Sequence, residues 1–172
     1  PVQRIFKNEK GNWVYDLGQN FSGIIDVRLS SDSRKTVKFY LAELLDDDGT
    51  VNQRASGEPF YLAYTTPATA HKGSWHPQFT YYGFRYVQID GAVPAGEANP
   101  EGLPVINELV GLHTTAATIP AGRFECSDTL FNRIYELIDW AIRSNVASVI
   151  TDCPHREKLG WLEQDYLMQA SL

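Results

Sequence analysis

Around residue 120 the spacing of apolar residues changes from every second position to every third or fourth, so this chain must join a β-rich part to a helical one. Ahead of the change, short apolar runs alternate with turn clusters. Residues 13–17 read Trp-Val-Tyr-Asp-Leu and end at Gly18. Residues 23–29 read Gly-Ile-Ile-Asp-Val-Arg-Leu, with one face to bury, and close on the polar stretch 30–34. Residues 36–44 form the next run, and Asp46-Asp47-Asp48-Gly49 then supplies a turn, because Asp and Gly accept the positive backbone angle of a tight reversal. Further strands are predicted over 60–65, 79–82, 84–89 and 105–113, with a Pro- and Gly-marked surface loop at 90–104. About seven short strands at this spacing predict a mainly β fold, an antiparallel, jelly-roll-like β-sandwich over residues 1–118.

Beyond Pro120, Ser127 or Asp128 suits a helix N-cap, its side-chain oxygen accepting from a first-turn amide. Leu130, Ile134, Leu137, Ile138 and Ala141 then share one face, which predicts a helix to about Val149. Pro154 keeps Cys153 out of helical geometry, so 151–155 is expected as a loop. A second helix is expected from about Glu157 to Leu172. Residues 119–172 thus read as the first one or two helices of an incomplete helical architecture, with apolar faces the chain offers little to cover. The start at Pro1, without an initiator Met, predicts a longer or processed parent protein.

Charge narrows the partners. The net charge is −6 and the fifteen Lys and Arg are scattered, so no basic stripe exists to meet nucleic acid or an anionic membrane. No apolar run approaches the ~20 residues of a membrane helix. Aromatics at 12% suit a sugar surface and a sandwich core alike, with the core reading ahead. Cys126 and Cys153 lack metal-finger spacing and are expected as free thiols. His71, His76, His113 and His155 lack metal-ligand spacing, and no metal or cofactor is expected. Asp46 to Gly49 lacks the later ligands of a calcium loop and reads as a hairpin turn. Trp75, placed in a loop, is expected to pack on the sandwich.

Chemistry concentrates in residues 151–165, Thr-Asp-Cys-Pro-His-Arg-Glu-Lys-Leu-Gly-Trp-Leu-Glu-Gln-Asp. With a helix from Glu157, Glu157 and Trp161 would share a face. An indole beside a carboxyl lowers its solvation and favours the protonated form. Asp152 and Arg156 suit charge-assisted hydrogen bonds to sugar hydroxyls. The same residues also suit a solvated helix N-terminus, where the helix dipole favours Asp and Glu. Spacing alone leaves both readings open.

The string TDCPHREKLGWLEQ resembles the signature of bacterial and plant-type α-L-rhamnosidases. Other segments are similar to that family in its order: YDLGQNFSGIIDVRL at 15–29, AELLDDDG at 42–49, FTYYGFRYVQIDG at 79–91 and GRFECSDTLFNRIYE at 122–136. The resemblance covers nearly the whole chain. It implies a β-sandwich followed by the start of an (α/α)6 barrel, and hydrolysis of terminal α-L-rhamnosides with inversion. Inversion calls for two carboxyl groups about 6.5–9.5 Å apart, with a water between. By match to the motif, Glu157 is the expected general acid, Asp152 a partner of rhamnose hydroxyls, and Trp161 a surface for the sugar near its methyl group. Arg156 and Glu163 are expected substrate contacts or supports, and His155 lies where it would approach the sugar. Some relatives carry a carboxylate where this chain has Gln164; either the neighbouring Glu163 takes over that contact or the contact is absent.

No general base is assigned within the chain, since Glu125 and Glu136 flank the first helix as structural or exposed residues. The resemblance thus implies a fragment that is inactive alone and belongs to an enzyme of rhamnose-containing glycosides or polysaccharides; the compartment is left open, with a secreted or periplasmic bacterial origin favoured over a cytoplasmic one. The rival reading is a carbohydrate-binding sandwich without hydrolytic activity.

Overall fold

The structure, a computed structural model, describes residues 1–57, 59–117 and 119–169. Its spine is strand β2 (Trp13–Ser31), preceded by β1 (Arg4–Lys7). Alternation explains the second half of β2: Ile25, Val27 and Leu29 are fully buried, while Asp26, Arg28 and Ser30 point outward. β3 (Thr36–Ala42) repeats the pattern, burying Val37, Phe39 and Leu41. Then come the short β4 (Leu44–Leu45) and β5 (Val51–Asn52), β6 (Leu62–Thr65), β7 (His71–Trp75), β8 (Tyr82–Asp90), β9 (Val93–Pro94) and β10 (Val105–His113).

The long spine serves four partners. β1 and β8 pair with the start of β2 on opposite edges, and β10 and β7 do the same with its end. Gly23 pairs with both Tyr82 and His113, so β8 and then β7 follow one edge of β2 while β1 and β10 follow the other. β3 and β6 extend the sheet beyond β8, and β9 extends it beyond β10. The result is the expected sandwich, antiparallel except for the short parallel pair of β9 and β10. Its layers meet where Trp75 of β7 stacks on Phe39 of β3, ring centroids 5.6 Å apart, and lies 5.4 Å from Tyr64 of β6. Trp75 therefore packs as expected, although it closes a strand rather than sitting in a loop.

Other boundaries move for physical reasons. The two expected strands at 13–17 and 23–29 are one, because the register with β8 jumps between Asp16 and Phe21 and the intervening residues bulge out at Gly18, where φ is 80°. The run at 36–44 breaks at Glu43. The expected strand at 79–82 is instead the end of a turn, with Phe79 at φ 60° and β8 starting at Tyr82. Between β4 and β5 the acidic run does form a hairpin turn: the Gly49 amide donates to the Asp46 carbonyl at 2.9 Å. Its carboxylates are taken up locally, Asp46 by Arg54 and Asp48 by Lys10, and the Lys10 ammonium holds the Asp48 carboxyl down at about 2. Among the described residues no group of three or more His, Cys, Asp and Glu converges as a metal-binding set.

Helix α1 (Thr129–Asn145) begins where Asp128 Oδ1 accepts from the Leu130 amide at 2.8 Å. It stops at Asn145, short of Val149, because the Asn145 carbonyl accepts from Thr151 at 2.8 Å and Val146 bridges Ile150 in extended geometry. Trp140 is its anchor on the sandwich, 5.6 Å from His113, whose imidazole pKa burial lowers. Helix α2 (Leu162–Met168) begins five residues later than expected. Glu157 and Trp161 therefore do not share a helical face. The reason is a closed loop: Asp152 Oδ1 accepts from Leu159, the Asp152 amide donates back to the Leu159 carbonyl, and Lys158 takes a left-handed φ of 56°. The expected extension to Leu172 and the expected boundary at residue 118 lie outside the described residues. Both cysteines are free.

Candidate active site

Residues 151–161 form a loop whose shape is held from within by Asp152. Its Oδ1 accepts from the amides of Cys153 at 2.8 Å and Leu159 at 3.0 Å. Burial pushes the Asp152 carboxyl up. The amides of Leu159 and Cys153, with the side chains of Trp161 and Glu157, outweigh that push and hold it below the ordinary carboxylate range. The same interactions show that Asp152, Glu157 and Trp161 converge. Glu157 Oε1 accepts from Arg156 at 2.6 Å, which raises the already high pKa of the guanidinium, and the Glu157 amide donates to Cys153 Sγ at 3.4 Å. Trp161 leads into α2 with 52% of its surface open, its carbonyl accepting from Gln164 at 3.0 Å.

The loop also has a seat. Pro154 is buried, and its carbonyl accepts from the Gly83 amide of β8 at 3.0 Å. Gly83 is needed there: a Cβ would lie 2.7 Å from Pro154 Cγ and 3.1 Å from Glu43 Oε1. His155 Nε2 lies 3.1 Å from Glu43 Oε2, and Asn20 Nδ2 donates to Glu43 Oε1 at 3.0 Å. The bond from His155 draws the Glu43 carboxyl below its ordinary range against burial, and Asn20 adds to this. Lys158 donates to the Tyr81 carbonyl and lies 4.1 Å over the Tyr82 ring, where burial pushes its ammonium pKa down. On the far side the Arg156 stem lies against Gly57, 3.3 Å from where a Cβ would stand.

Four of the five expected site residues, Asp152, Arg156, Glu157 and Trp161, thus occupy one loop and interact. Glu163 stands exposed in the first turn of α2 and makes no hydrogen bond or ion pair among the described residues. His155 turns to the sandwich rather than toward the exposed carboxyls. Sequence reasoning missed Glu43, Asn20, Gly83 and Lys158. One signal for Glu43 was available, a carboxylate between the apolar Leu41-Ala42 and Leu44-Leu45 pairs; Asn20 offered none beyond an ordinary turn.

These features define a class: a two-layer β-sandwich that seats a carboxylate loop and hands the chain on to helices. Residues 6–109 match the bacterial α-L-rhamnosidase concanavalin-like domain, and residues 120–172 match the six-hairpin glycosidase domain of the same proteins. The chain belongs to the bacterial α-L-rhamnosidase family. It is 32% identical over 167 residues to an α-L-rhamnosidase of Formosa agariphila, covering 93% of this chain and 16% of that protein. An α-L-rhamnosidase of Streptomyces avermitilis is 34% identical over 167 residues, covering 94% and 15%. Among solved structures, the α-L-rhamnosidase of Dictyoglomus thermophilum superposes with a TM-score of 0.82 at 32% identity, over 99% of this chain and 19% of that one. The Streptomyces avermitilis enzyme complexed with L-rhamnose gives 0.81 at 30% identity, over 98% and 16%. The chain therefore spans less than a fifth of the length of these relatives.

Proposed function

We propose that this chain supplies the sandwich (1–118) and the acid-bearing start of the helical catalytic domain (119–172) of an inverting α-L-rhamnosidase. The observation that carries the reading is the convergence of Asp152, Glu157 and the half-open Trp161 indole on one seated loop. Glu157 protonates the departing glycosidic oxygen. Asp152 offers its carboxylate to a sugar hydroxyl, and Trp161 packs against the apolar side of the rhamnose ring. Arg156 Nη2 donates to Glu157 Oε1 at 2.6 Å. Arg156 turns from Glu157 to the substrate as the sugar enters, which leaves Glu157 to the glycosidic oxygen. The general base belongs to a part of the protein outside these residues, and the substrate is a terminal α-L-rhamnoside of a glycoside or polysaccharide.

The test uses the full-length protein and 4-nitrophenyl α-L-rhamnoside, with the first-formed sugar anomer read by proton NMR. The expected product is β-L-rhamnose. Glu157→Gln lowers kcat by about 10²–10⁴-fold, and by less on a 2,4-dinitrophenyl leaving group, which needs little protonation. An α product, or an unimpaired Glu157→Gln enzyme, overturns the reading.

A further inference from the structure

Two irregularities of the sandwich point at the same atom pair. One is the bulge of β2 between Asp16 and Phe21, which carries Asn20. The other is the break between β3 and β4, where Glu43 stands. Neither is explained by core packing, since the buried set passes through Leu17, Phe21, Leu41 and Ala42 and leaves out both polar residues. Together they place Asn20 Nδ2 3.0 Å from Glu43 Oε1 and Glu43 Oε2 3.1 Å from His155 Nε2. The side chains of His155 and Glu43 are only 14% and 24% exposed. A largely covered carboxylate is costly to desolvate, and an apolar pair would seat a loop as well. What the polar pair adds is direction.

The direction passes on through His155. Its Nδ1 accepts from the Arg156 amide at 2.6 Å, so the ring is the Nε2–H tautomer, donating to Glu43. The hold thus reaches the peptide beside Glu157. It acts on the backbone, and it persists when the Arg156 side chain turns to the substrate. Gly83, admitting no Cβ beneath Pro154 and Glu43, fixes the same corner from below.

We infer that Glu43 of the sandwich, aligned by Asn20, is a positioning residue for the general acid, acting through His155 on the backbone at Arg156. The inference rests on Glu157 being that acid. The sandwich is then part of the catalytic apparatus rather than a neighbouring module.

The experiment measures kcat and KM of the full-length protein on a series of aryl α-L-rhamnosides of rising leaving-group pKa. Glu43→Ala lowers kcat by about 10- to 100-fold on the poorest leaving group, as a misplaced acid would. The loss shrinks toward 2,4-dinitrophenol, and KM stays within about twofold if the sugar contacts are untouched. Glu43→Gln, which keeps an acceptor for Nε2–H, restores most of the rate. His155→Leu shows the same leaving-group dependence, and the Glu43→Ala/His155→Leu double variant is no worse than either single one. His155→Leu leaves the sandwich edge intact and serves where Glu43→Ala fails to fold. Equal losses across all leaving groups, additive losses, or an unimpaired Glu43→Ala or His155→Leu enzyme overturn the inference. Glu157→Gln run on the same series separates the two failures. If it is impaired while Glu43→Ala is normal, positioning alone is wrong; if it is normal, the acid assignment falls as well.

Discussion

The sandwich and the helices that follow it carry equally regular apolar patterns, yet only the sandwich buries them. Val14, Ile25, Val27, Leu29, Val37, Phe39, Leu41, Phe84 and Val87 are wholly enclosed. In α1, by contrast, no residue is buried, and Leu130, Phe131, Leu137 and Ile138 all stand more than half open. The sandwich is complete in itself because β2 brings both layers together. Among the described residues, the helices pack on the sandwich core through Trp140. Pattern decides which face is apolar; a partner surface decides whether that face contributes to stability.

The sharpest way to break this comparison is paired truncation in the 172-residue chain, followed by urea denaturation. Phe84→Ala should cost about 3–5 kcal/mol, as a large core deletion does. Leu137→Ala, at a position 70% exposed, should stay within about 0.5 kcal/mol. A large effect at Leu137 would mean that α1 has found a covering surface.

The seat of the loop gives the next largest effect. Gly83→Ala drives a Cβ into Pro154 and should weaken docking by about 1–3 kcal/mol. Trypsin should then cleave after Arg156 or Lys158 roughly 5- to 150-fold faster, with the urea midpoint of the sandwich little changed. Unchanged cleavage would show that the loop does not depend on this corner.

The smallest effect concerns acid. Arg85 Nε and Nη2 grip Asp16 Oδ1 and Oδ2 at 2.7 and 2.9 Å, and this bond from Arg85 draws the Asp16 carboxyl below its ordinary range. A depressed carboxyl contributes stability above its unfolded pKa of about 3.9, and loses it as pH falls through the folded value. With the Arg85 side chain 37% exposed, solvent screening keeps the contribution to about 1 kcal/mol or less. Asp16→Asn should therefore lower the melting temperature slightly at pH 7 and flatten its fall below pH 4. An unchanged acid limb would rule the pair out.

Much of the sandwich was legible because period-two alternation is strong in residues 23–29 and 36–42, and because residues 105–113 are an apolar-rich run bounded by turn residues. What stayed hidden depended on partners far away in sequence. His71-Lys72-Gly73-Ser74-Trp75 has no convincing alternation; it is a strand because the end of β2 offers it an edge. Gly18 with Gln19 and Asn20 reads as a turn between strands and is a bulge within one, since β8 pairs on both sides of it. At the site, the motif named the loop and most of its residues. Its geometry was misread because a helix from Glu157 competes with the mutual bonds of Asp152 and Leu159, which lie seven positions apart and leave no periodic trace.

The long β2 strand also has a consequence for the order of synthesis. Its last pairing residue on one edge is Ser30, whose partner Val105 is made some 75 residues later, and His113 later still. At about 5–20 residues per second, that edge waits on the order of 4–16 s for β10 after β2 is complete. Through that interval Ile25, Val27 and Leu29 form an apolar row on a strand with one open edge, a template for any neighbouring nascent chain. The strand that unites the finished sandwich is thus its most vulnerable part while it is being made.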